Sequence, residues 1–106
     1  MEQFSNANLN EKVENSHGIV LVVFYAGWCG ACGKMLEILE QIEDRYPQIS
    51  MGVLDTVINK QAVRKYDIIS LPTLIFFRDG VEVKRMIGVK EKDDVEKEIL
   101  EDILTH

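Results

Sequence analysis

All the thiol chemistry available to this 106-residue chain lies in two cysteines, Cys29 and Cys32, which enclose Gly30 and Ala31 directly after Trp28. Side chains three apart on a helix are neighbours, so two sulfurs at this spacing in a first turn can bond to each other. A helix N-terminus adds partial positive charge and free N–H groups, which stabilise a thiolate at the residue nearest the end. Cys29 is therefore the expected attacking thiol. Cys32, one turn inside, is expected to be more buried and to act as the resolving thiol on a mixed disulfide. Gly30 and Ala31 complete the loop between the sulfurs without supplying charge, which points to a reducing rather than an oxidising couple. A cysteine pair alone also fits an inert disulfide or half a zinc site. Zinc needs four ligands, and neither His17 nor His106 stands at ligand spacing from the pair, so no metal is expected.

The elements around the pair must place it where a strand hands over to a helix. Ile19 to Ala26 is an unbroken apolar run rich in β-branched and aromatic residues, which suits a central strand covered on both faces. Beyond the cysteines, Met35, Leu36, Ile38, Leu39 and Ile42 recur at helical spacing up to Tyr46, where Pro47 stops the helix. Ile49 to Leu54 reads as a second strand, joined to the first through that helix and so parallel to it. Asn59 to Tyr66 reads as a weaker helix. Thr73 to Phe77 and Val81 to Ile87 flank Asp79-Gly80, a tight-turn pair between antiparallel strands. Val95, Ile99 and Ile103 mark a closing helix capped by Asp93 or Asp94. In front of everything, Leu9 and Val13 mark a short amphipathic helix over Phe4 to Ser16 that shields one face of the sheet.

Composition narrows the options. Hydrophobic residues make up 46% and charged residues 28% of the chain, an ordinary globular balance. At this length one domain over residues 1–106 is expected. The net charge of -6 argues against nucleic acid, whose phosphates call for a clustered basic surface. Seven acids against three lysines lie between Lys90 and His106, read as the solvated face of the last helix. The longest apolar run, eight residues, cannot cross a bilayer. No leader pattern opens the chain, so a cytoplasmic protein is expected, where a cysteine pair serves chemistry more often than structure.

Taken in order, Val22-Val-Phe-Tyr-Ala-Gly-Trp-Cys-Gly-Ala-Cys32, Tyr66-Asp-Ile-Ile-Ser-Leu-Pro-Thr-Leu-Ile-Phe-Phe77 and Gly88 after the hairpin resemble the thioredoxin family. The resemblance implies an α/β fold, a thioredoxin-like three-layer sandwich with a central mixed β-sheet flanked by helices. It also implies that Pro72 follows a cis peptide bond beside the cysteines and leaves the backbone of Leu71 open to an extended client peptide. Trp28, Leu71, Pro72, Gly88 and Val89 would form the substrate-docking rim. The activity implied is that of a general protein-disulfide reductase and electron carrier, recycled by a separate thioredoxin reductase and acting on disulfide-containing client proteins as a monomer. No cofactor is expected, since no Gly-rich dinucleotide loop is present.

The likeness has gaps. Thioredoxins usually carry a buried Asp on the central strand, where this chain has Val23, and the lysine that commonly neighbours it aligns with Val53. Ala31, Gly33 and Glu37 replace the usual Pro, basic residue and Pro, with Lys34 offering a displaced charge. A Gly one turn into a helix costs on the order of 1 kcal/mol relative to Ala, so Gly33 suggests close approach by a partner. The family's first strand is barely represented before the opening helix. These gaps keep open a second reading, a redox-inactive or single-partner binding module on the same scaffold.

Overall fold

The structure, a computed structural model, describes residues 1–105; His106 lies outside the described residues. Five strands form one sheet: β1 (Glu2–Phe4), β2 (Ile19–Tyr25), β3 (Ile49–Asp55), β4 (Thr73–Arg78) and β5 (Val81–Ile87), in the spatial order β1-β3-β2-β4-β5. β1 and β2 both run parallel to β3, while β4 is antiparallel to β2 and to β5. The apolar run Ile19 to Ala26 thus supplies the middle strand, as its lack of alternation predicts.

Side-chain alternation divides the core into two layers. Leu21 and Val23 of β2 join Met35, Leu39 and Ile42 of α1 (Gly30–Ile42) on one face. The closing helix α3 (Lys92–Glu98), extended by a wider helical turn over Ile99–Ile103, adds Val95, Ile99 and Ile103 to that layer. Val20, Val22 and Phe24 point the other way, toward Leu9 and Val13, at the cap and within the opening helical segment (Asn10–Glu14), and toward Ala62 of α2 (Lys60–Lys65). Each fully buried large side chain here contributes roughly 1.5–3 kcal/mol. Helices on both faces of a mixed sheet make the three-layer sandwich that the resemblance implied.

Two boundaries differ from expectation. Phe4 belongs to strand β1 rather than to the opening helix, and the helical segment shrinks to Asn10–Glu14. The reason is side-chain competition for the backbone. Asn8 Oδ1 accepts from Ser5 N at 2.8 Å, Asn6 Oδ1 accepts from Ala62 N at 2.9 Å, and Asn59 Oδ1 accepts from Asn6 N at 2.9 Å. β1 can pair at all because its partner opposite Glu2 is Gly52; a Cβ there would sit 2.5 Å from the Phe4 ring. The last helix begins at Lys92 behind Glu91, with no side-chain cap, so Asp93 and Asp94 lie in its first turn instead of capping it. There they still complement the helix dipole.

At the far end of the hairpin the turn is clasped. Asp79 and Gly80 take φ of 51° and 82°, the left-handed pair that a two-residue hairpin turn demands. Asp79 N donates to Gly18 O at 2.9 Å, and Gly18 N donates back to Asp79 Oδ1 at 2.8 Å.

Candidate active site

β2 ends at Tyr25 opposite Asp55 of β3, and Thr73 opens β4 opposite Phe24. The loops after β2 and β3, the segment before β4 and the loop after β5 therefore leave from one end of the sheet. The cysteines stand at that end. Thr56 joins two of the loops, its N–H and hydroxyl both donating to the Tyr25 carbonyl at 2.9 Å.

Cys29 is the N-cap of α1, with extended backbone, and its N–H donates to Ala26 O at 3.1 Å. Its sulfur accepts from Cys32 N at 3.2 Å, so one orphan donor of the helix end is already aimed at it. Cys29 is half-buried, whereas Cys32 is 1% exposed; both are free thiols. Burial, reinforced by Cys29, pushes the Cys32 thiol up to about 11. The pair thus has one accessible sulfur at a helix end and one withdrawn behind it, the placement expected from the spacing alone.

The residues expected at the rim lie on loops at this end of the sheet. Trp28 is 76% exposed, which excludes a place in the core. The Leu71–Pro72 bond is cis, and Pro72 is buried. Its carbonyl accepts from Gly88 N at 2.9 Å, which ties the loop after β5 to the cis turn and leaves Gly88 (φ 87°) and Val89 half-buried beside it. Among the described residues the N–H and carbonyl of Leu71 make no hydrogen bond. Gly30 and Ala31 are exposed between the two cysteines. His17 is an exposed residue in the turn before β2, at the opposite end of the sheet from the cysteines.

Sequence reasoning missed part of this end. Val57, Ile58 and Ile69 are exposed, Ile69 at 92%, on the loops that flank the cysteines. Their signal was present but negative: none repeats at the spacing of a helix or strand face. The departures at Val23 and Val53 resolve into one feature, since these residues lie side by side in register and both belong to the apolar layer under α1.

A family model described as Thioredoxin matches residues 1–101. The chain belongs to the thioredoxin family. It is 41% identical over 76 residues to the thioredoxin of Chlamydia pneumoniae, covering 72% of this chain and 74% of that one. It is 36% identical over 96 residues to the thioredoxin of Mycobacterium bovis, covering 90% and 83%. Over 91 residues it is 35% identical to a bifunctional thioredoxin reductase/thioredoxin of Mycobacterium leprae, covering 85% of this chain and 20% of that protein. As a member of the thioredoxin family the chain is a thiol–disulfide oxidoreductase, with its cysteines in the CxxC arrangement. Among the described residues no helix is long and apolar enough to cross a membrane.

Gly33, the departure one turn into α1, is exposed with nothing within 4 Å of a Cβ built on it. Gly33→Ala is expected to raise stability by roughly 0.5–1 kcal/mol in urea unfolding. If turnover of a protein client stays unchanged in that variant, close approach by a partner is not what keeps the glycine.

Proposed function

We propose that this chain is a general protein-disulfide reductase and electron carrier in which Cys29 attacks and Cys32 resolves. The observation that carries this reading is the asymmetry of the pair: Cys29 caps α1 at the surface and accepts an N–H, while Cys32 is buried with a raised pKa. The thiolate is the nucleophile in disulfide exchange, so the first attack falls to the sulfur that is reachable and already accepts a helix N–H. Attack by Cys29 gives a mixed disulfide with the client. Cys32 then displaces the client and leaves the Cys29–Cys32 disulfide, closed around Gly30 and Ala31.

Leu71, with its free backbone groups next to Pro72, offers a strand-addition edge to an extended client, a mode that takes its affinity from main-chain bonds and accepts many sequences. Trp28, Gly88 and Val89 complete the rim, and exposed Ile58 and Ile69 extend it. A separate thioredoxin reductase returns the pair to the dithiol. The Mycobacterium leprae relative, whose name joins the two activities, supports that pairing. Residues 1–106 act as one domain, a cytoplasmic monomer that needs no bound cofactor.

The test is the reduction potential of the pair, measured by equilibration with glutathione buffers and thiol alkylation. A value near about -270 mV is expected for a reductase; one at roughly -180 to -120 mV would make the protein an isomerase or oxidant.

A further inference from the structure

Release of the client requires the Cys32 proton to leave, and the layer around that thiol has little to take it. The sheet face under α1 presents Leu21, Val23, Met51, Val53, Leu74 and Phe76, all buried. At the end of this face where α1 begins, the ionisable side chains are Tyr25 and Asp55. The Asp55 carboxylate accepts from Val57 N at 2.9 Å, and burial, then Asp55, raises the Tyr25 phenol and keeps it protonated. On α1 itself Lys34 and Glu37 are exposed. Among the described residues the one side chain hydrogen-bonded to Cys32 is that of Cys29, whose sulfur accepts from Cys32 N at 3.2 Å, and Cys29 is tied up in the mixed disulfide when release begins.

Resting on the reductase reading above, we propose that this protein supplies no acid–base side chain for release and borrows the base from its client, so that it favours disulfides within one chain. In the first step the Cys29 thiolate bonds to one client sulfur; the client S–S bond breaks, and its electron pair leaves on the second client sulfur as a thiolate. Where both sulfurs belong to one chain, that thiolate stays beside the site. It takes the proton of Cys32 as the Cys32 sulfur bonds to the Cys29 sulfur, and the Cys29–client bond breaks to free the first client sulfur as a thiolate. The client disulfide gains two electrons, the cysteine pair loses two, and the single proton ends on the client. Where the two sulfurs belong to separate molecules, the first thiolate diffuses away, and water or hydroxide must do the work. An ordinary thiol titrates near about 8.5, so a tethered client thiol still holds a few per cent thiolate at neutral pH, at the high effective concentration of an intramolecular base.

The experiment is single-turnover reduction with the wild-type dithiol protein in excess, quenched in acid, with the mixed disulfide followed by mass spectrometry. One probe is a peptide closed by an internal disulfide. The other has the same sequence with its second Cys replaced by Ser and its first Cys disulfide-bonded to a separate short cysteine peptide. Conversion of the mixed disulfide to reduced peptide and the Cys29–Cys32 disulfide is expected to be at least about tenfold faster for the closed peptide at pH 7, with that advantage shrinking as the pH falls and the client thiolate is protonated. Equal decay of the two would overturn the proposal. So would slowed release of both probes in Asp55→Asn, which would give the role of base to Asp55. Failure of the protein to reduce either probe would instead sink the reductase reading itself.

Discussion

Cys29→Ser is expected to lose disulfide reductase activity by ~10³-fold or more, because the hydroxyl that replaces the thiol is neither ionised nor able to exchange with a disulfide. Cys32→Ser separates the two halves of the reaction. The buried position at residue 32 is withdrawn from the surface, so first attack by Cys29 should persist, and the client should stay covalently attached for want of a resolving thiol. Non-reducing gel electrophoresis of each variant after mixing with an oxidised client checks both results. A trapped adduct in Cys29→Ser but not in Cys32→Ser would reverse the roles. Full turnover by either variant would remove the pair from the chemistry. Because the two thiols act as one unit, the double variant should be no worse than Cys29→Ser alone.

The largest expected effect on stability lies far from the cysteines. Gly80 has a φ of 82°, and a Cβ built on it would lie 2.0 Å from the Glu14 carbonyl oxygen. Gly80→Ala therefore combines a left-handed backbone that costs an L-residue roughly 1–2 kcal/mol with a collision against backbone that cannot swing aside. A total of about 2–4 kcal/mol is expected, enough to lower the melting temperature by roughly 10–20 °C. Gly18→Ala is the control. Gly18 has nearly the same φ, 83°, with nothing within 4 Å of its Cβ, so only the backbone cost applies. The difference in melting temperature between the two variants isolates the collision. Equal losses would mean that the backbone of Glu14 gives way easily to the added methyl group. Glu14 also bonds the Tyr66 hydroxyl and pairs with Lys65 at 2.6 Å, so pushing its backbone aside should loosen the opening helical segment as well.

What the sequence disclosed, and what it withheld, follows from the range of the forces involved. The strand Ile19–Tyr25, helix α1 and the Asp79-Gly80 hairpin were legible because each is written in local terms: an unbroken apolar run, a 3.6-residue repeat closed by Pro47, a turn pair with positive φ. The cysteine pair was legible for the same reason. The fate of Phe4 was not, because it depends on Gly52 and on Asn59, both about fifty positions away. The start of α3 was missed by two or three residues because Glu91 occupies the cap position without using its side chain. The exposed Val57, Ile58 and Ile69 could be found only by subtraction, as apolar residues that no element claims. The pairing of Val23 with Val53 became a single apolar patch once the strand register placed them side by side.

The loop position that leaves Trp28 exposed beside Cys29 makes the protein its own optical probe. It is the only tryptophan in the chain, it adjoins Cys29, and it is already three-quarters in water. Unfolding should therefore shift its emission maximum very little, since the indole exchanges one aqueous setting for another. Ionisation of the neighbouring thiol, closure of the disulfide, or the arrival of an apolar client over the ring each changes what touches that indole. Its emission should thus follow electron flow and docking at the site while staying nearly blind to the state of the core.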